Sequence, residues 1–110
     1  PMVKKYRVQI LPQAREGLRQ QMNYVRRRSS DVQAKKVRKA ILETVRSLES
    51  FPESNEQLHE ICDEQTVYRR VFKWDYRVIY RINEETITVL VVDIDSTVDD
   101  PQKLLDRFGK

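Results

Sequence analysis

Two apolar stripes of helical period, separated by a three-residue break, restrict this chain more than any other feature. Leu11, Ala14, Leu18, Met22 and Val25 recur at spacings of three and four, and so do Ala34, Val37, Ile41, Val45 and Leu48. Ser29-Ser30-Asp31 lies between them, and Ser30 with Gln33 fits a capping box that starts a second helix. Pro12 can sit in the first turn of the first helix, which is expected to run to about Arg28, and Phe51-Pro52 stops the second. Helices joined this tightly form an antiparallel hairpin, and both stripes must find the same apolar partner.

Short alternating segments supply that partner. Tyr6-Arg7-Val8-Gln9-Ile10 reads as a first strand. Three more follow the helices, at roughly 66–73, 76–82 and 86–94, with Asp75 and Asn83-Glu84-Glu85 at the turns. The segment Thr86-Ile87-Thr88-Val89-Leu90-Val91-Val92 is apolar on both faces and is therefore expected to be central. Residues 53–65 read as a polar, acidic loop with a turn or short strand near Leu58–Cys62, and Pro101–Phe108 as a short terminal helix. The order β-α-α-β-β-β predicts an α+β fold in which a helix hairpin packs on one face of a small, mostly antiparallel sheet. Residues 2–110 are expected to form one domain, and Pro1, ahead of Met2, reads as a cloning or cleavage remnant.

Composition removes several classes of function. Only Gly17 and Gly109 are glycines, which excludes a glycine-rich phosphate loop, a dinucleotide-binding turn and an EF-hand. Cys62 is the sole cysteine and cannot close an internal disulfide. With no membrane-length apolar run and no signal-peptide pattern, a cytoplasmic location is expected, with no membrane partner. His59 has no cysteine or histidine partner for zinc. Asp93, Asp95, Asp99 and Asp100 lack the convergent turn of a hard-cation site and read as an acidic C-terminal loop, so neither metal nor cofactor is expected. Charge is uneven: residues 1–50 carry 13 Lys and Arg against 4 Asp and Glu, and the remainder 8 against 13. Distinct basic and acidic surfaces follow.

The chemistry-bearing stretch is Tyr68–Ile82, two strands folded back on each other with cations and aromatics interleaved. Arginine and lysine bind phosphate, aromatics stack on bases or partners, and like charges across a ladder repel. An anionic partner, either RNA or an acidic protein, would account for such a hairpin. Arg77 is the leading candidate, with Arg69, Arg70 and Lys73 on the neighbouring strand. Arg81, Tyr76, Tyr80 and Trp74 are candidate nucleic-acid or partner contacts. A two-residue loop would put Arg70 on the face of Arg77; a loop one residue longer would put Arg69 and Lys73 there instead. A solvated strand face would equally explain Arg77 and Arg81, and dipole complementation would explain Arg26-Arg27-Arg28 at a helix C-terminus.

The element order, the Leu48-Glu49-Ser50-Phe51-Pro52-Glu53-Ser54 helix stop, Tyr68-Arg69-Arg70, and Tyr76-Arg77-Val78-Ile79-Tyr80-Arg81-Ile82 followed by Ile87-Thr88-Val89-Leu90 together resemble the RelE/ParE superfamily of type II toxin–antitoxin toxins. The resemblance covers nearly the whole chain, and its helix stop and Tyr-Arg-x-x-Tyr core look most like the ParE side. It implies a growth-arresting toxin held inactive by a cognate antitoxin protein. RelE-like members are metal-independent endoribonucleases acting on ribosome-bound mRNA, whereas ParE-like members inhibit DNA gyrase by binding. By the resemblance, Arg77 stands where RelE-like enzymes place a phosphate-contacting arginine. The basic or histidine-bearing segment that follows the last strand in those enzymes is here Val92–Pro101, which holds no arginine, lysine, histidine or tyrosine. This absence favours the ParE-like mechanism. The ribonuclease, and a degenerate toxin that only binds antitoxin, are the alternatives.

Overall fold

A computed structural model describes residues 4–97. The elements run β1 (Arg7–Ile10), α1 (Pro12–Arg28), α2 (Asp31–Ser47), β2 (Arg69–Lys73), β3 (Tyr76–Asn83) and β4 (Thr88–Ser96). Two short 3-10 turns, Pro52–Ser54 and His59–Ile61, punctuate the connection from α2 to β2. The expected terminal helix at Pro101–Phe108 lies outside the described residues. None of the described helices is long and apolar enough to cross a membrane.

The helix boundaries follow local chemistry. Pro12 starts α1, and its last turn carries Arg26, Arg27 and Arg28 against the negative end of the dipole. Ser30 caps α2 by accepting a hydrogen bond from the Gln33 backbone N–H at 3.1 Å. The two helices contact each other, and their stripes bury Ala14, Leu18, Met22 and Val25 from α1 with Ala34, Val37, Ile41 and Val45 from α2.

The sheet order is β1-β4-β3-β2, so β4 is central, paired parallel with β1 and antiparallel with β3. Helix α1 crosses β4 closely because Gly17 has no side chain: a Cβ there would sit 2.3 Å from the Ile94 carbonyl oxygen. Two apolar clusters sandwich the sheet. The larger joins both helices to Val78, Tyr80, Val89, Val91 and Ile94. The smaller covers the opposite face with Leu58, Ile61, Ile79 and Val92, flanked by Leu11 and Tyr68. Residues 53–65 are thus more than a solvated loop: their two buried aliphatics cap the second face, and Gln57 forms an isolated bridge with Arg69 at the β2 edge.

A bulge in β4 decides which side chains reach which face. Ile79 pairs with Asp93 but Tyr80 pairs with Val91, leaving Val92 as the extra residue. Val89, Val91 and Ile94 therefore all pack with the helices although their spacing is two and then three. Asp93 and Asp95, expected in an acidic loop, are instead buried within β4.

Candidate functional site

The β2–β3 hairpin turns on two residues, Trp74 and Asp75, with Lys73 opposite Tyr76 and Phe72 opposite Arg77. This register puts Arg70 and Phe72 on the face of Arg77 and Ile79. Arg69, Val71 and Lys73 share the other face with Tyr76, Val78 and Tyr80. The shorter of the two loop lengths weighed above is the one present, and the cations of β2 are divided between two faces.

Arg77 is held by a carboxylate. Its Nε and Nη2 donate to the two oxygens of Asp95 at 2.9 and 2.8 Å. The Arg77 side chain is 15% exposed and that of Asp95 1%. The bidentate hydrogen bonds to Asp95 raise the guanidinium pKa above its ordinary value, against the opposing effect of burial, with smaller contributions from Asp93 and Glu60. The surroundings of Arg77 are therefore acidic.

The remaining candidates are also placed. Arg69 donates from Nη1 to the Asn55 carbonyl at 2.7 Å, which ties β2 to the first 3-10 turn. Arg70 pairs with Glu56 at 3.1 Å and stacks over Phe72, 5.3 Å from the ring centre. Lys73 lies over Trp74 at 5.0 Å. Tyr80 is fully buried: its hydroxyl donates to the Pro52 carbonyl and accepts from Asn55 Nδ2 at 2.9 Å, and burial raises its pKa. It anchors the helix-stop segment and has no surface open to a ligand. Arg81 and Arg69 line a polar cleft of about 330 Å³ with Glu53, Glu84, Gln57 and Thr66. Tyr76 is half-buried, with its pKa raised mainly by burial. Trp74 is 55% exposed at the tip.

Asp95 is the partner of Arg77 that the sequence alone did not point to. The signal available was the continued alternation of Val92-Asp93-Ile94-Asp95-Ser96, a strand pattern rather than a loop pattern. A second surface, between the helices, has Leu18, Met22, Leu42 and Ile10 along its floor and Arg15, Arg19, Arg26 and Arg38 at its rim, enclosing about 370 Å³. Arg19 and Arg26 already pair with Glu16 and Asp31, whereas no ion pair involves Arg15 or Arg38 among the described residues. Among the described residues no group of three or more His, Cys, Asp or Glu could hold a metal.

The profile of the family described as the ParE toxin of type II toxin–antitoxin systems matches residues 8–101. A search of curated protein sequences finds no match. Among solved structures, the chain is similar to one of a chromosomal ParDE system from P. aeruginosa, at 14% identity and a TM-score of 0.69, covering 84% of this chain and 97% of that one. It is also similar to one from the RelBE2 toxin–antitoxin complex of Mycobacterium tuberculosis, at 23% identity and a TM-score of 0.63, covering 90% and 98%. A third is from the RelE–RelB complex of Pyrococcus horikoshii OT3, at 20% identity and a TM-score of 0.56, covering 87% and 99%. At these identities the likeness is one of fold.

Proposed function

Because the chain belongs to the ParE toxin family of type II toxin–antitoxin systems, we propose that it arrests growth by binding and inhibiting DNA gyrase. A cognate antitoxin holds it inactive until release. The observation that carries the gyrase reading is the buried Arg77–Asp95 pair. Ribonuclease chemistry needs a cation free to meet charge developing on a phosphorane, together with a base and an acid. Here the best-placed cation is neutralised by a carboxylate, and carboxylates nearby repel a substrate phosphate.

The interhelical groove suits the antitoxin. An apolar floor rimmed by Arg15 and Arg38 fits an acidic segment with apolar anchors. The anchors supply most of the affinity and the charges speed the encounter. The neighbouring gene product, co-expressed, should form a complex that withstands moderate salt.

The test of mechanism is induction of the chain in cells while labelled thymidine and labelled amino acid are followed separately, with purified protein added to a gyrase supercoiling assay. Early loss of thymidine incorporation and inhibited supercoiling support the reading. Immediate loss of amino-acid incorporation with cuts in ribosome-bound messenger would replace it with the ribonuclease. Absence of any arrest, with antitoxin still bound, would identify a degenerate toxin.

A further inference from the structure

Three of the four large exposed aromatic side chains among the described residues lie at the β2–β3 hairpin end, and the fourth, Phe51, is exposed at the helix stop. Trp74 is 55% exposed, Tyr24 51% and Phe72 46%. Beside the tip lies a cleft of about 600 Å³ lined by Tyr24, Tyr76, Asp75, Arg27, Gln20 and Ser96. Each of these three rings has a cation on it: Lys73 over Trp74, Arg70 over Phe72, and Arg28 over Tyr24 at 5.3 Å. Tryptophan, tyrosine and arginine are the residues that dominate protein-binding hot spots, because they present large, stiff amphipathic surfaces. Single exposed apolar residues are ordinary, but this grouping is not a scatter.

Trp74 carries an independent mark. It is the first residue of a two-residue hairpin loop and has φ of 53°. Glycine or asparagine ordinarily fills such a position, and a bulky side chain there is strained. The side chain is more than half exposed, with Lys73 over its ring. Phe51 and Ile87 also have positive φ, but Trp74 joins this strain to a neighbouring cleft lined by aromatics and a cation, which is where strain points to function.

We propose that Trp74 and Lys73 at the hairpin tip, with Tyr24 and Arg27 beside the cleft on the helix side, form the hot spot by which this chain grips its protein target. Its complement is an apolar pocket with an acidic rim, which would receive the indole and meet the cations around it. The inference rests on the gyrase reading above, and it separates the target-binding surface from the basic interhelical groove assigned to the antitoxin.

Trp74 is the only tryptophan, so 5-fluorotryptophan labelling places one 19F probe at the tip of the full chain. Gyrase should shift or broaden that resonance, and antitoxin should leave it in place. Trp74→Gly, and Trp74→Asn as a second variant that also tolerates positive φ, should lose about 30-fold in gyrase affinity, typical of a tryptophan hot spot. Both should keep antitoxin affinity within twofold and melt no lower than the parent. Gyrase affinity within threefold of the parent in both variants would overturn the proposal. So would a resonance that answers to antitoxin and not to gyrase. If the parent chain binds no gyrase, the reading of its function fails. The hot spot is then judged by growth arrest: undiminished arrest by Trp74→Gly overturns it, and lost arrest with intact antitoxin binding supports it for another target protein.

Discussion

Replacing Asp95 with alanine leaves the Arg77 guanidinium without its carboxylate in a site where the side chain is only 15% exposed. Two charge-assisted hydrogen bonds, at 2.9 and 2.8 Å, are lost together. Removing one partner of a buried pair typically costs about 3–5 kcal/mol. The cost here should fall at the lower end, about 3 kcal/mol, because Arg77 can extend its head toward water. Arg77→Ala should cost more, near 5 kcal/mol on the same scale, because the Asp95 carboxylate is 1% exposed and cannot reach solvent. The assay is urea unfolding at neutral pH of both single variants and the double variant, which together give the coupling energy. A coupling of about 2–3 kcal/mol is expected. The paired apolar replacement, Arg77→Met with Asp95→Leu, should restore most of the lost stability, since an apolar pair of similar volume avoids burying charge. It should also still arrest growth. A coupling below about 0.5 kcal/mol would show that solvent screens the pair and that Arg77 is free for a ligand. Loss of arrest in a well-folded paired variant would refute the structural assignment of Arg77 directly.

Other expected outcomes follow from single contacts. Gly17→Ala, which helix propensity alone would favour by about 1 kcal/mol, should instead destabilise by about 1–3 kcal/mol in thermal or urea unfolding, because the new Cβ meets the Ile94 carbonyl. Ile41→Ala should cost about 2–5 kcal/mol in the same measurement, since Ile41 is fully buried between the helices and the sheet. Tyr80→Phe should cost about 1–3 kcal/mol by leaving the Pro52 carbonyl and Asn55 short of a partner. The pKa of Tyr80 is raised in the folded state, so its contribution is complete below the unfolded tyrosine pKa, near 10, and is lost as pH rises through the folded value. Stability measured from pH 9 to 11 should therefore fall less steeply in Tyr80→Phe than in the parent. Arg15→Glu with Arg38→Glu should slow antitoxin association by about tenfold at low salt in stopped-flow mixing, with a smaller effect at high salt.

Local signals accounted for most of the architecture. The stripe from Ala14 to Val25, the Ser30 cap and the Phe51-Pro52 stop act over one or two helical turns, so neighbouring residues suffice to read them. Leu11, expected in that stripe, instead sits at the N-cap of the helix and packs on the opposite face of the sheet. The centrality of β4 was equally legible, because a strand apolar on both faces needs cover on both. The loop at Trp74-Asp75 was not, because the residue at its first position has the wrong chemistry for the φ it adopts. Local preference there gave way to the pairing of the flanking strands. The cover that Leu58 and Ile61 give the second face was also hidden, since two aliphatics in a polar segment have no period to betray them.

The sequence by itself determined that two amphipathic helices pack on a sheet of four short strands, and that cations and aromatics would crowd one hairpin. Their roles were decided only by tertiary structure. Simple alternation puts Val89, Val91, Asp93 and Asp95 on one face, and continued unbroken it would drive the Asp95 carboxylate toward the helices. One extra residue at Val92 reverses the parity, returns Ile94 to the core and brings Asp95 opposite Arg77. A bulge is a property of two paired strands rather than of either one, so no reading along a single strand can place it.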